Sequence, residues 1–255
     1  MRSSASLPAC HPLCPSAYLR SLLLLCLLFG TVSAIADNWH GEVSVLSDYV
    51  YRGYSKSRGN PVVQGHIDYE GDAGWFTGIR LSQASFDDRS NPDHADLEIN
   101  PYVGWYLPLA EDWKTELSVA GYVYNGKVFA HDADYAEFYA ALHYQDWLSG
   151  RVSVAPDAYQ RHVTVLNYEL NFRRDIFDTL QFSAGLGYYQ AGALLEKDYF
   201  YWNAGVSWFL TSYLVLDIRY VDVNLDKQHY TESQQDEFYP RLMENKYLLS
   251  LTLGF

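Results

Sequence analysis

The sequence predicts an all-β protein: a closed antiparallel transmembrane β-barrel of about 12 strands, with short periplasmic turns at one end and longer external loops at the other. Three observations carry that expectation. Apolar and polar residues alternate with period two in about twelve segments, charges keep to one parity of each segment, and the connections alternate short and long.

Residues 1–36 read as a signal peptide that is removed. Arg2 and Arg20 supply sparse positive charge, an apolar stretch follows from Leu22 to Phe29, and Ala34-Ile35-Ala36 fits a small-x-small cleavage site. That stretch is shorter than the ~20 residues a helical span needs. The long region before it favours a start codon nearer Arg20. The barrel domain is then 37–255. Cys10, Cys14 and Cys26 all lie in the leader, so the remaining 219 residues carry no cysteine. Disulfides, thiolate metal sites and cysteine catalysis are excluded together. Sixteen basic against 31 acidic side chains leave the mature chain at −15, which excludes nucleic acid as a partner. Tyrosine, at 23, outnumbers lysine plus arginine, at 18, yet no mature segment approaches 18 continuous apolar residues.

The first segment runs from Trp39 to Arg52, with Trp39, Val43, Val45, Tyr49 and Tyr51 on one face and Glu42, Asp48 and Arg52 on the other. A loop of Gly, Ser, Lys and Asn over 53–61 leads to Val63, Ile67 and Tyr69 alternating with His66, Asp68 and Glu70. Gly71-Asp72-Ala73-Gly74 is a turn signal, and Trp75, Ile79 and Leu81 then alternate with Phe76 and Arg80. Nine further segments fall near 96–106, 113–124, 134–144, 148–155, 163–173, 179–189, 199–209, 213–221 and 246–255. They run to roughly ten residues, the length a tilted membrane crossing needs.

Six strands hold two or more charges, and every one keeps them at a single parity, for example Glu169/Arg173 and Asp217/Arg219. A soluble sandwich also segregates its faces, so parity alone does not decide. Connection lengths and aromatic placement do. Short connections at 70–74, 107–112, 145–147, 174–178 and 210–212 alternate with longer ones, and outward aromatics such as Trp39, Tyr49, Tyr51, Trp75, Trp105, Tyr188 and Tyr247 gather near strand ends, as interfacial girdles do. The chain ends on Phe255, after alternating Tyr247, Leu249, Leu251 and Leu253. This is the form of terminal strand through which the barrel-assembly machinery recognises its substrates. Outer-membrane lipids and lipopolysaccharide are the expected surroundings, in the outer membrane of a Gram-negative bacterium after export through the Sec pathway.

Ser47-Asp48-Tyr49-Val50-Tyr51-Arg52-Gly53-Tyr54-Ser55, with Asn60-Pro61-Val62-Val63-Gln64-Gly65-His66-Ile67-Asp68-Tyr69 after it, resembles the opening of the TorF-type porin family, earlier filed as conserved hypothetical exported proteins of Gram-negative bacteria. The motif match covers the first hairpin only. The resemblance implies an outer-membrane barrel with a pore, and brings no substrate with it.

Barrel geometry then gives a backbone radius of about 12 Å and a bore of at most ~12 Å for twelve strands, room for small polar solutes. The expected pore lining is Glu42, Asp48, Arg52, His66, Asp68, Arg80, Glu98, Glu116, Glu137, Arg151, Glu169, Arg173, Asp217 and Arg219, with Tyr102, Tyr122, Tyr124, Tyr139, Tyr199 and Tyr201 as planar walls. Ten acids and seven bases point inward, which suggests weak cation selectivity. The competing reading is that Arg52, Arg80, Arg151 and Arg219 pair with Glu42, Asp68, Glu98 or Asp217 and brace the wall. The longest loop, 222–245, is either a constriction folded into the mouth or a surface loop. Acidic external loops leave binding of divalent cations that bridge lipopolysaccharide as a compositional option.

Enzyme readings are weaker. No zinc pattern of H-x-x-E-H or H-E-x-x-H type occurs, and no His is followed two residues later by Ser, so no catalytic residue, metal or cofactor is expected. Passive diffusion of small solutes or ions is the first expectation. A non-conducting structural or adhesive barrel acting through its loops is the second, and an interfacial lipid-modifying enzyme the third.

Overall fold

The structure, a computed structural model, describes residues 38–86, 92–225, 238 and 240–255; the expected leader and residues 226–237 and 239 of the long loop lie outside the described residues. Twelve strands among the described residues close into a barrel. They are β1 (Trp39–Leu46), β4 (Val62–Glu70), β5 (Trp75–Gln83), β6 (Leu97–Ala110), β7 (Trp113–Tyr124), β8 (Tyr135–Tyr144), β9 (Leu148–Ala155), β10 (Val165–Phe177), β11 (Leu180–Gln190), β12 (Tyr199–Phe209), β13 (Leu214–Val223) and β15 (Lys246–Gly254). Three two-residue strands, β2 (Val50–Tyr51), β3 (Tyr54–Ser55) and β14 (Arg241–Leu242), form a separate small sheet.

Every wall pairing is antiparallel, and β1 closes the cylinder by pairing β4 on one side and β15 on the other. At this seam Phe255 exchanges backbone hydrogen bonds with Gly41 at 2.9 and 3.0 Å, so the ladder runs to the last residue. A closed ladder leaves no edge, which is what lets strands cross hydrocarbon. No helix among the described residues is long and apolar enough to cross a membrane.

The outward positions carry Val45, Ile79, Leu117, Phe138, Leu170, Leu186, Ile218 and Leu249, all exposed. An apolar belt on every side of the barrel is untenable in water and natural in lipid. Aromatic pairs border it at both ends: Trp39–Tyr69 at 5.1 Å, Tyr69–Trp75 at 5.2 Å and Trp113–Tyr144 at 4.7 Å beside the turns, Tyr188–Phe200 at 4.7 Å and Tyr220–Tyr247 at 5.3 Å beside the loops.

The boundaries differ from the sequence reading in two ways. At the turn end, β6 and β10 run on to Ala110 and Phe177, each through a register shift near the hairpin, which shrinks the expected turns to 111–112 and 178–179. At the loop end, the first strand stops at Leu46 instead of continuing to Arg52. Ser47 makes the last contacts to β15, donating its N–H to Leu249 O at 2.8 Å and accepting the Leu249 N–H on its hydroxyl at 2.9 Å. The chain then leaves the wall. Asp48, Tyr49, Tyr51 and Arg52, expected on the wall, therefore sit on an inward excursion. The alternation they carry belongs to the little sheet.

Glycine permits the closest strand approach. A Cβ on Gly205 would lie 2.7 Å from Ile218 O and 3.0 Å from the Arg219 backbone, whereas one on Gly150 meets nothing nearer than 3.9 Å. Gly205→Val should cost ~1–3 kcal/mol through overpacking against backbone. The temperature at which the folded, fast-migrating gel band converts to the unfolded one should fall by several degrees, while Gly150→Ala leaves it unchanged.

Candidate functional site

The lumen has two unlike halves. In the turn half lies a cavity of about 630 Å³, bounded by inward side chains of the wall and ceilinged by Tyr49, Val50, Tyr51, Arg52 and Gly53. In the loop half the segment 47–60 occupies the bore. Tyr54, Ser55, Lys56 and Ser57 are fully or almost fully buried.

Local sequence explains the shape of this plug. Val50 pairs Ser55 and Tyr51 pairs Tyr54, so Arg52-Gly53 forms a two-residue hairpin loop. Both have positive φ, 49° and 83°, as a type I′ turn requires. A Cβ on Gly53 would fall 2.4 Å from Val223 Cγ1 and 2.9 Å from Tyr201 Cβ, so only glycine fits there. Asp48 folds the base of the excursion by accepting hydrogen bonds from the Ser55 and Ser57 hydroxyls at 2.5 and 2.6 Å.

Two cations of the plug dock on two carboxylates of the wall. Arg52 meets Glu137 of β8 at 2.5 Å and also donates to Ser153 Oγ at 2.7 Å. Lys56 meets Glu98 of β6 at 2.6 Å. Both carboxylates are 0 % exposed. Tyrosine hydroxyls add two further hydrogen bonds to each: Tyr49 and Tyr124 donate to Glu98 at 2.8 and 2.7 Å, Tyr51 and Tyr139 to Glu137 at 2.9 and 2.8 Å. Rings surround the ammonium, with Nζ 4.1 Å from the Tyr51 centroid and 4.8 Å from that of Tyr122. Burial lowers the Lys56 pKa from its ordinary value, and the Glu98 charge opposes the shift. Buried ions of this kind persist only when paired and fully hydrogen-bonded.

The loop end is sealed above the plug. Phe238, from the long loop, packs on Tyr159 at 4.3 Å and Phe129 at 5.3 Å, and lies 6.1 Å from Tyr54 and 6.0 Å from Phe86. Leu242 and Arg241 of β14 pair Tyr54 and Ser55, tying the long loop to the plug. The 222–245 loop thus enters the mouth through its described residues, but the closing element is the shorter segment 47–60, with residues 47–52 expected in the first strand and 53–60 in the loop after it.

The expected lining residues separate accordingly. His66, Asp68, Arg80, Glu116, Arg151, Glu169 and Arg219 face the cavity from the wall, and Arg52 faces it from the plug. Asp48, Glu98 and Glu137 are sequestered in the plug contacts. Glu42 stands beside His66 at 3.3 Å, and Asp217 beside Arg219 at 3.1 Å. Arg173 lies at the turn end, bonded to the Asp146 carbonyl. Bracing pairs exist, though mostly with other partners than expected: Arg219 does take Asp217, but Arg151 takes Glu169 and Arg52 takes Glu137. Among the tyrosines, Tyr102, Tyr122, Tyr139 and Tyr201 border the cavity, while Tyr124 and Tyr199 serve the plug, Tyr199 by donating to Arg52 O at 2.9 Å. Tyr201 lies where a Gly187 side chain would be, 2.1 Å from that hypothetical Cβ, which is why the neighbouring strand carries small residues. Among the described residues no three His, Cys, Asp or Glu side chains are arranged to hold a metal.

Fold and lumen together define a class: a twelve-stranded transmembrane barrel of the outer-membrane type, with its bore closed at one end. By sequence, the chain belongs to the family described as bacterial protein of unknown function (Gcw_chp), whose model matches residues 34–255. No curated protein matches it. Among solved structures it is similar to the NanC porin in a rhombohedral crystal form, with 10 % identity, a TM-score of 0.50, and coverage of 85 % of this chain and 98 % of that one. It is similar also to the KdgM porin in complex with disordered oligogalacturonate, at 8 % identity and a TM-score of 0.50, covering 86 % and 99 %. At such identity these likenesses show the barrel fold.

Proposed function

We propose that the protein is a gated outer-membrane channel for small polar solutes or ions, with the segment 47–60 as its gate. One observation carries this reading: the plug contributes no strand to the wall. Among the described residues its hairpin pairs as a strand with β14, in a sheet separate from the barrel, and Lys56 O accepts the Ser85 N–H at 2.6 Å just past the end of β5. The plug can therefore withdraw without breaking the ladder that spans the bilayer. The cavity already occupying the turn half provides the rest of a path. The resemblance to TorF-type porins and the porin-like fold favour the same reading, and the first part of the motif behind that resemblance, Ser47–Ser55, lies in the plug.

In this reading the turns face the periplasm, the loops face outward, and the apolar belt contacts lipid and lipopolysaccharide. The strand ending at Phe255 presents the assembly signal, after export through the Sec pathway. With the gate withdrawn, Glu98 and Glu137 join the lumen and strengthen its acidic character, so the open state prefers cations. In a potassium chloride gradient the reversal potential of the open barrel should lie on the potassium side of zero; a displacement toward chloride contradicts this.

A second reading, a non-conducting structural or adhesive barrel, is favoured by the buried aromatic seal over the plug. Single-channel recording on the refolded full chain separates the two. A closed baseline with discrete openings is expected of the gate. Silence that persists after the two docking cations are removed supports the adhesive barrel.

A further inference from the structure

We propose that Lys56 and Arg52 are built-in occupants of two cation sites on the barrel wall, and that the solutes this barrel admits carry ammonium or guanidinium groups. The proposal rests on the gated-channel reading and names its substrate class.

The sites are more elaborate than a pair of braces requires. Most of what surrounds the Lys56 ammonium is fixed to the wall and loops, and stays when the plug leaves: the Glu98 carboxylate, the Tyr122 ring at 4.8 Å, and the rings of Tyr124 and Tyr159 at 5.9 Å. Around Arg52 the lasting partners are Glu137, Ser153 and the Tyr189 ring, 5.2 Å from the guanidinium carbon. Glu98 keeps its hydrogen bond from Tyr124, and Glu137 keeps the one from Tyr139. A carboxylate held by phenol hydroxyls below aromatic faces is a receptor for organic cations, because ring quadrupole and carboxylate attract the same charge. It offers an anion only repulsion, and a neutral polyol no ion pair.

Withdrawal of the plug opens both carboxylates to water without their cations, and an arriving organic cation restores the ion pair and the ring contacts that each has lost. A solute cation within the cavity meets Arg52, Tyr51 and Tyr122 directly, since all three border it. Such a solute competes with the plug for Glu137 and Glu98. Occupancy by solute therefore favours the open state, by the ordinary rule that a ligand shifts an equilibrium toward the state that binds it. Neutral and anionic solutes have no such hold on the gate.

Agmatine, which has one guanidinium and one primary ammonium, is the probe. Refolded full-length Arg52→Ala/Lys56→Ala protein, its barrel checked by the heat-dependent gel shift, is titrated with agmatine by calorimetry. Binding should be at least about tenfold tighter than for 1,4-butanediol. It should be lost when Glu98→Gln and Glu137→Gln are added. Equal affinity for agmatine and butanediol, or binding that survives both glutamine substitutions, overturns the proposal.

The single variant Lys56→Ala gives a second readout. In this variant the Glu98 site is vacant with the plug seated, and there the plug rings of Tyr49 and Tyr51 complete the cage. Ethylammonium should therefore bind the closed state more tightly and lower the open probability severalfold, whereas ethanol at the same concentration should not. Equal effects of the two also overturn it. Agmatine binding in a barrel that never conducts sustains the cation sites while refuting the channel. Conduction without agmatine preference keeps the channel and removes the sites.

Discussion

Replacing Arg52 and Lys56 together by alanine turns a mostly closed barrel into a persistently conducting one. Both cations are nearly inaccessible and each meets a wall carboxylate at 2.5–2.6 Å. With the cations gone and the plug seated, Glu98 and Glu137 remain buried without countercharge. Removing one partner of such a pair typically costs ~3–5 kcal/mol, because the survivor is left uncompensated. With the plug withdrawn, water reaches both carboxylates and the penalty falls away, so the loss acts on the closed state alone. At about 1.4 kcal/mol per factor of ten, even one such penalty shifts the closed-to-open ratio by roughly a hundredfold. Single-channel recording reads this as open probability. The barrel itself should keep its strand content in circular dichroism, since neither residue belongs to the wall. Open probability unchanged from the native protein would mean that the plug is held by other contacts, the β14 pairing and the aromatic seal among them.

Gly53→Val should produce the same opening by a route that leaves both ion pairs chemically available. The backbone there has φ +83°, unfavourable for a β-branched residue, and the added Cβ would sit 2.4 Å from Val223 Cγ1 and 2.9 Å from Tyr201 Cβ. Neither neighbour has room to yield: Tyr201 is pinned by hydrogen bonds to Asn167 and Glu169 at 3.0 and 2.8 Å, and Val223 is buried at the end of β13. The hairpin turn cannot close in its seat, and Arg52, its neighbour, cannot reach Glu137. Conductance should rise toward that of the double alanine variant, and the segment 47–60 should become sensitive to protease from the loop side. Gly150→Ala, where a methyl group meets nothing nearer than 3.9 Å, should behave as the native chain.

The barrel was legible in the sequence because its causes are repetitive. Alternation in strands such as Leu180–Gln190 and Leu214–Val223, and single-parity charges such as Asp217 and Arg219, recur around the whole cylinder, so an error in one strand does not alter the architecture. The site was less legible because its cause is a single segment. Residues 47–52 alternate as well as any wall strand does, and period two does not say which sheet a strand joins. Two signals pointed to the departure. Arg52-Gly53 is a residue pair suited to a tight hairpin, and it straddles the end of the expected strand. Lys56, in a supposed surface loop, and Arg52, at the end of the expected strand, match the two wall glutamates that would otherwise face a lumen without countercharge. The charge partners themselves, Glu137 for Arg52 and Glu98 for Lys56, are 85 and 42 residues away, and only the closed cylinder brings them together.

The central claim is that the segment 47–60 occupies the bore, and reactivity of one engineered thiol tests it most directly. The chain's only cysteines precede residue 37, so in a chain refolded from residue 37 onward a cysteine at position 55 is unique. Ser55 is 1 % exposed, on the inserted hairpin. In the refolded barrel, Ser55→Cys should resist a bulky hydrophilic maleimide at least about a hundredfold longer than Asp132→Cys on an exposed loop, in keeping with the control that access exerts on thiol reactivity. Adding Arg52→Ala/Lys56→Ala should abolish that protection. Labelling of Ser55→Cys as fast as Asp132→Cys in the otherwise native barrel would place the segment in solvent, and the account of a gated lumen would fail.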